Sequence, residues 1–292
     1  MAWIQINATV EEALAEPLSD AFMAVGACSV TFEDAKDQPI FEPELGTTPI
    51  WSLTRVVGLF DAETDTQAVL TGLGDLITDI AADQYKIEAL EDKDWVRAWM
   101  DQFKPMRFGE RLWIVPSWHT PPEPDAVNLK LDPGMAFGTG THPTTSLCLA
   151  WLDQHPPTGL KVIDYGCGSG ILALAAQKLG AASVKGTDID PQAIQASQQN
   201  AERNSAVIDF ALVAEFISEP VDLLIANILA GPLQTLAPEF TRLLKPHGTL
   251  VLSGLLTTQA EELIAFYRQQ GYEFLHQQDL DDWSRLSFQK LA

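Results

Sequence analysis

The sequence predicts an α/β protein in which a small α+β unit precedes a larger unit built on a mostly parallel sheet. Three observations predict this. The first ninety residues show strand and helix patterns in the order βαββαβ. From about residue 143, apolar strands alternate regularly with helices. The chain then ends in two strand patterns with no helix between them, which indicates an antiparallel pair at the end of the sheet.

The small unit has a ferredoxin-like pattern of secondary structure. A strand opens at Trp3, and apolar residues at helical spacing follow until Gly26, a typical helix-ending residue. β-branched and aromatic residues predict the remaining strands. The predicted elements are strands at 3–6, 27–32, 51–60 and 85–90, and helices at 11–25 and 66–80. This order is that of the split βαβ motif.

A connecting helix is predicted next, with Trp95 and Trp99 one turn apart on one face. We therefore divide the chain into a ferredoxin-like substrate-recognition domain at 1–91, a connecting helix at 92–105, and the larger domain at 106–292. Within the larger domain, a short strand is expected at 112–115 and a proline-bearing surface loop at 119–125.

The larger domain alternates helices and strands along the chain. Helices are predicted at 146–152, 171–179 and 191–204, and strands at 160–163, up to 188, and at 207–213, 221–229, 249–256, 272–275 and 286–290. Continuously apolar strands of this kind indicate a parallel sheet that is covered on both faces. The last two strands are expected to be joined by a polar loop.

The charge of the chain is strongly negative and unevenly distributed. The net charge is −22 over 292 residues, of which −15 falls on residues 1–92 and −7 on the other 200. Such a field repels a phosphate backbone and favours a basic partner, although simple solubility explains it equally well. No secretory signal, apolar span or paired cysteines are found, so we expect a cytoplasmic protein without a membrane, nucleic-acid or metal partner.

A glycine-rich turn follows the first strand of the predicted parallel sheet. Asp164 closes that strand, and Gly166, Gly168 and Gly170 lead into an apolar helix. Glycines permit a tight turn, and the helix N-terminus offers free N–H groups to a ligand. The GxGxG spacing differs from the GxGxxG of dinucleotide enzymes, and no Lys-Ser or Lys-Thr of a phosphate loop follows. Asp164 is positioned to reach a cationic amino group.

Two further strand ends carry polar residues. Asp188 and Asp190 follow the second strand, and a carboxylate there can accept the hydroxyls of a ribose. Asp190 precedes Pro191 and fits a helix cap better, which favours Asp188 as the ribose ligand. Asn227 closes the fourth strand, where it faces the reaction centre or, alternatively, caps the next helix.

Residues 131–145 form a loop rich in glycine and threonine that opens a helix. The loop is either a flexible connector or a cradle for a carboxylate, and Thr145 is the favoured contact for such a carboxylate. His142 is either a base or a helix-entry residue, and the sequence does not decide between them.

Four segments together resemble one enzyme family. GMAFGTGTHPTT at 134–145, VIDYGCGSGILA at 162–173, GTDIDPQAI at 186–194 and NILAGPL at 227–233 are similar to ribosomal protein methyltransferases of the PrmA type. The glycine motif is common to class I methyltransferases, whereas the first and last segments are far more specific.

The resemblance implies a class I methyltransferase fold, that is, a Rossmann-like, mostly parallel seven-stranded sheet with an antiparallel terminal strand. It implies S-adenosyl-L-methionine as the cofactor, with contacts at Thr145, Gly166, Asp188 and Asn227. It implies trimethylation of lysine ε-amines and the N-terminal α-amine of the eleventh large-subunit ribosomal protein, a basic substrate. Asn227 is the expected catalytic residue, and we expect a monomer.

Three other functions compete with this interpretation. A methyltransferase of glutamine or a nucleic-acid base is disfavoured because Ile228 and Leu229 replace the two prolines of the NPPY motif. An NAD-dependent oxidoreductase is disfavoured by the glycine spacing and by Asp164. A non-catalytic binding module is disfavoured because Asp164, Asp188 and Asn227 are all present.

Overall fold

The computed structural model describes residues 3–38, 40, 47–90, 103–132 and 142–292. The chain divides into two compact units, Met1–Met100 and Asp101–Ala292. Of the predicted connecting helix, residues 92–102 lie outside the described residues, and residues 103–105 are not helical. Within the described residues, no helix has the length and apolar character needed to cross a membrane.

The first unit has the predicted βαββαβ order. Its elements are β1 Trp3–Glu11, α1 Glu12–Ala24, β2 Ser29–Asp34, β3 Leu53–Asp61, α2 Thr66–Leu76 and β4 Lys86–Leu90. The four strands form an antiparallel sheet in the order β2-β3-β1-β4, which is the ferredoxin-like arrangement. Phe22 of α1 packs edge-on against Phe60 of β3 in the core beneath this sheet. The prediction of a ferredoxin-like unit is confirmed, although α2 ends four residues before the predicted boundary.

The second unit begins with a small sheet that the sequence mostly did not reveal. Its strands are β5 Met106–Phe108, β6 Leu112–Val115 and β7 Val127–Lys130, and only β6 was predicted. Strands of three and four residues give too short a pattern for periodicity to detect. Buried Asp153 of the following helix accepts the backbone N–H of Glu110 at 2.7 Å, which ties this sheet to the main domain.

The main sheet has seven strands and is flanked by helices on both faces. Its elements are α3 Pro143–Gln154, β8 Lys161–Tyr165, α4 Ile171–Lys178, β9 Ser183–Asp188, α5 Pro191–Arg203, β10 Asp209–Leu212, β11 Val221–Asn227, α6 Ala230–Thr235, α7 Ala237–Leu243, β12 Leu244–Leu256, α8 Ala260–Gln269, β13 Tyr272–Leu280 and β14 Trp283–Lys290. The strand order is β10-β9-β8-β11-β12-β14-β13. The first five strands in this order run parallel, and β14 pairs antiparallel with both of its neighbours. The predicted class I arrangement is confirmed.

The last two strands are longer than predicted. β13 and β14 pair from Tyr272–Lys290 to Leu280–Trp283 with one register shift between Phe274 and His276, and a two-residue turn joins them. The residues expected in a polar loop therefore belong to the sheet. β13 lies at the edge of the sheet, so its side chains stay largely exposed and the apolar alternation that marks a strand is weak there.

Candidate functional site

The site lies where the strand order of the main sheet reverses. β8 pairs with β9 on one side and with β11 on the other. The helices that follow β8 and β11 pack on opposite faces of the sheet. In open parallel sheets, ligands bind at such a reversal, outside the carboxyl ends of the strands. The glycine turn follows β8, Asp188 ends β9 and Asn227 ends β11, so the fold brings all three to one edge.

The turn after β8 requires glycine. Gly166, Gly168 and Gly170 have φ angles of 77°, 52° and 76°, in the left-handed region that other residues avoid. A Cβ atom on Gly166 would also come within 2.3 Å of Cγ2 of Ile228. The backbone of this turn therefore stays bare, as a ligand that approaches it closely demands.

Asp164 lies behind the turn and is 1% exposed. Its Oδ2 accepts the backbone N–H of Ala173 at 2.9 Å, whereas its Oδ1 has no hydrogen-bond partner among the described residues. Burial raises the pKa of Asp164 to about 7; the hydrogen bond from Ala173 opposes this shift, and the nearby charge of Asp188 adds to it. A buried carboxyl with one unused acceptor suits a ligand that brings a cationic amino group.

The two carboxylates after β9 have different roles. Asp188 accepts the N–H of Gly168 at 2.9 Å with Oδ2 and the N–H of Asp190 at 3.0 Å with Oδ1. Asp190 accepts the N–H of Gln192 at 2.8 Å and caps α5. The predicted capping role of Asp190 is confirmed. Asp188, half-buried and fixed against the glycine turn, keeps lone pairs available for ribose hydroxyls.

Asn227 and Thr145 form a pair although 82 positions separate them in the sequence. Nδ2 of Asn227 donates to Oγ1 of Thr145 at 3.2 Å, and Thr145 is 3% exposed. The next residue, Ile228, is held by a hydrogen bond from its N–H to the carbonyl of Ser253 at 3.1 Å. The cap of the following helix is Leu229, so Asn227 does not cap it. The capping alternative for Asn227 is therefore wrong, and its functional role stays a prediction.

His142 is the entry residue of α3. Its Nδ1 lies 2.7 Å from Oγ1 of Thr144 and also accepts the N–H of Thr144 at 3.4 Å, which caps the helix. Its ring stands edge-on to Trp283 at a centroid distance of 4.8 Å. Partial burial lowers the pKa of His142. Residues 133–141 of the predicted cradle lie outside the described residues.

Sequence reasoning overlooked two residues near the carboxyl ends of the parallel strands. Ile189 is 83% exposed directly after Asp188, where an apolar side chain can cover a flat aromatic ligand. Ile228 limits the space above Gly166. An apolar residue between two aspartates at a strand end was the available signal for Ile189. For Ile228 there was no signal, because its neighbour Gly166 lies 62 positions away, in the turn after β8.

The site shows no arrangement for covalent or metal chemistry in the part of the chain that the structure describes. Burial raises the pKa of Cys148 to about 12 and also raises the pKa of Cys167, so both remain protonated thiols. Among the described residues, no three His, Cys, Asp or Glu side chains come together as metal ligands. The polar groups of the edge are suited to hold a ligand and orient an acceptor.

Comparison with known proteins gives a consistent set of relatives. A family model described as ribosomal protein L11 methyltransferase (PrmA) matches residues 2–291. The ribosomal protein L11 methyltransferase of Hydrogenovibrio crunogenus is 77% identical over 290 residues, which are 99% of each chain. The protein of that name from Pseudomonas aeruginosa is 53% identical over the whole of both chains. A crystal structure of ribosomal protein L11 methylase from Lactobacillus delbrueckii subsp. bulgaricus is 32% identical, with a TM-score of 0.59 over 65% of this chain and 100% of that chain.

Proposed function

This chain belongs to the ribosomal protein L11 methyltransferase (PrmA) family, and from that premise we propose that it methylates amino groups of ribosomal protein L11. The methyl donor is S-adenosylmethionine, which supplies an electrophilic methyl group when bound. We further propose that lysine ε-amines and the N-terminal α-amine are the acceptors and that each is trimethylated. The observation that carries the proposal is the Asn227–Thr145 pair beside the glycine turn.

The residues at the carboxyl edge fit this donor. We propose that Gly166, Gly168 and Gly170 admit it against bare backbone. Asp188 then accepts its ribose hydroxyls, and the free Oδ1 of Asp164 accepts from its amino group. Thr145 and Asn227 complete the set on the neighbouring strand and helix. Each assignment rests on a polar group or turn that the fold already holds in place.

Asn227 orients the acceptor amine. An amine attacks only when it is neutral and its lone pair points at the methyl carbon, and a free lysine has a pKa of about 10.4. Thr145 holds the Asn227 amide by accepting from Nδ2, so that Oδ1 can accept an N–H of the amine. Positioning of this kind accelerates displacement without a strong general base. Each transfer leaves the amine as a methylammonium group, because the N–C bond forms as the S–C bond of the donor breaks. A further round therefore requires that this group loses a proton to water, that fresh donor binds, and that the amine turns to present its lone pair again.

The competing functions fit the residues at the carboxyl ends of the strands less well. A planar amide or base is held in related enzymes by an NPPY segment, whereas Ile228 and Leu229 follow Asn227 here. An NAD-dependent oxidoreductase would need the GxGxxG spacing that the turn lacks. The net charge of −22 disfavours direct binding of nucleic acid and suits a basic protein substrate. We also propose that the enzyme acts in the cytoplasm and as a monomer.

Replacing Asn227 by alanine tests the proposed mechanism. We expect kcat at saturating cofactor to fall by about 100-fold because the amine loses its orientation. The assay uses S-adenosylmethionine with a labelled methyl group and under-methylated L11, and mass spectrometry locates the label. The same spectra count the methyl groups on each amine and so test trimethylation.

Asn128→Ala is the matched control, because Asn128 is also half-buried but lies in the small three-stranded sheet. It should retain kcat. An Asn227→Ala enzyme with wild-type kcat would refute the orienting role, and label on glutamine or on nucleic acid would refute the proposed acceptor.

The acidic first unit is proposed to steer the basic substrate. Residues 1–92 carry a net charge of −15, and attraction between solvent-exposed charges weakens as salt increases. We expect the KM for L11 to rise with salt while the affinity for cofactor, whose site is partly buried, changes little. Steady-state kinetics and cofactor titrations across a series of salt concentrations measure both. Equal salt sensitivity of the two constants would contradict steering by this unit.

A further inference from the structure

Arg285 of β14 is a buried cation with an incomplete set of partners. It is 1% exposed and ranks among the largest fully buried side chains of the described residues. Its Nη2 lies 3.2 Å from Nδ1 of His276. Its Nε and Nη1 atoms are buried and have no hydrogen-bond partner within the described ranges. No described carboxylate forms an ion pair with it.

This arrangement is unfavourable unless an anion completes it. Burial lowers the pKa of Arg285, yet a guanidinium starts so high that it keeps its charge at neutral pH. A buried charge is normally paired, and each unsatisfied donor of a charged group adds to the penalty. A carboxyl group can escape by taking up a proton, whereas an arginine has no such route.

The side chain lies at a groove with a volume of about 430 Å³. The groove runs between the end of α3 and strands β13 and β14, and its lining includes Trp151, His155, His276, Gln278, Arg285 and Ser287. None of the described lining residues is an aspartate or a glutamate, in a chain with 40 carboxylates and 18 basic side chains. The one formally charged side chain that lines the groove among the described residues is therefore a cation, whereas acidic side chains outnumber basic ones in the whole chain.

The hydrogen bond to Arg285 also fixes the histidine beside it. A guanidinium only donates, so Nδ1 of His276 is the acceptor and the ring proton resides on Nε2. His276 is exposed and therefore offers this second donor to the groove or to its rim. Arg285 and His276 together present donors suited to an oxyanion, and a guanidinium binds carboxylate or phosphate in a two-pronged geometry.

The groove is separate from the methyl-transfer edge. Its lining includes Leu160, just before β8, and Leu223 near the start of β11, so it lies at the amino ends of the parallel strands. The glycine turn and Asn227 lie at the carboxyl ends of the same strands. Helix α3 spans the two places, because Thr145 is in its first turn and Trp151 in its last.

We propose that this groove is a binding site for a small oxyanion, a phosphate or a carboxylate, that pairs with Arg285. The site is independent of the proposed function, since no residue of the methyl-transfer edge takes part in it. Free inorganic phosphate and acetate represent the two sources of this chemistry.

The experiment measures the thermal unfolding midpoint of the full chain without cofactor, with increasing phosphate, acetate or chloride at constant ionic strength. A ligand of the folded state raises the midpoint with concentration. We expect phosphate or acetate to raise it in a saturable way and chloride not to. Phosphorus NMR line broadening of phosphate gives a second, direct measure of binding.

Two variants and one control assign the effect to the groove. Arg285→Met removes the guanidinium with little change in length. Gln278→Glu alters an exposed residue directly opposite Arg285 in the strand pairing and supplies an internal carboxylate. Both should weaken binding at least tenfold. Arg268→Met is the matched control, because it removes the same charge from an exposed position on α8 and should leave binding unchanged.

Saturable binding of phosphate or acetate that Gln278→Glu abolishes supports the proposal even where Arg285→Met does not fold. Whichever of phosphate and acetate raises the unfolding midpoint more identifies whether the groove prefers a phosphate or a carboxylate. Three results would overturn the proposal: equal responses to all three anions, no response in the wild-type chain, or a response that persists in both variants.

Discussion

Two buried charged side chains of the main sheet, Asp164 on β8 and Arg285 on β14, face the same difficulty at opposite regions of the domain. Each is 1% exposed, and each has side-chain atoms without a hydrogen-bond partner in the described part of the chain. Asp164 adjoins the glycine turn at the carboxyl edge, whereas Arg285 borders the groove toward the amino edge.

The two side chains differ in how they can respond. The pKa of Asp164 is raised to about 7, so this carboxyl is substantially protonated at neutral pH until a cationic group arrives. Arg285 keeps its charge at neutral pH, and no carboxylate of the described residues pairs with it, so an external anion can neutralise it. A buried acid can therefore change its protonation state, whereas a buried arginine stays charged and needs an anion to pair with.

The largest effect is expected from pH, through Asp164. Its folded pKa lies above the ordinary value of 3.8, so the folded state holds a proton that the unfolded state releases. The stability that this gives is complete below about pH 4 and is lost as pH rises through about 7. The loss is on the order of 4 kcal/mol at most. Urea unfolding of wild type and Asp164→Asn across this range measures it.

Asn cannot titrate, so the difference in stability between Asp164→Asn and wild type should grow with pH in favour of the variant. Subtracting the two proteins cancels the contribution of the other carboxylates. A difference that stays constant between about pH 4 and pH 7 would show that Asp164 is not a shifted acid, and the contrast with Arg285 would fail.

The next effect is the stability of Arg285→Met without added anion. Exchanging a buried charge for an apolar side chain of similar size is often neutral or stabilising by roughly 1–4 kcal/mol. Urea unfolding of wild type and variant at one neutral pH, in buffer without phosphate or carboxylate, measures the change. A marked loss of stability would mean that the guanidinium already has adequate partners.

The smallest effect is expected from Thr145→Val at the carboxyl edge. This change keeps the shape of the side chain but removes the Oγ1 that accepts from Asn227. A neutral hydrogen bond contributes about 1 kcal/mol, so kcat should fall roughly fivefold with the fold intact. Steady-state kinetics measure the fall, and Thr241→Val, remote on α7, is the control. An unchanged rate in Thr145→Val would show that the hydrogen bond from Asn227 to Thr145 is not needed to orient Asn227.

Much of the site could be predicted because local chemistry required it. Three glycines with positive φ, the aspartate that caps a helix beginning with proline, and the polar residues at strand ends each follow from sequence neighbours. The β5–β7 sheet and the full length of β13 were not predicted, because short strands and edge strands lack a clear apolar period. The capping contact of His142 with Thr144 became visible only in the structure.

The sequence by itself determined the βαββαβ order of the first unit, the alternation of strands and helices in the main sheet, the glycine turn and the family. Those features depend on periodicity and on motifs that neighbouring residues form. Only the tertiary structure decided that Asn227 bonds to Thr145. It also decided that, among the described residues, one acceptor of buried Asp164 has no partner and no carboxylate pairs with Arg285. Burial and partnership depend on which distant strands and helices pack together, and no local pattern of residues records that.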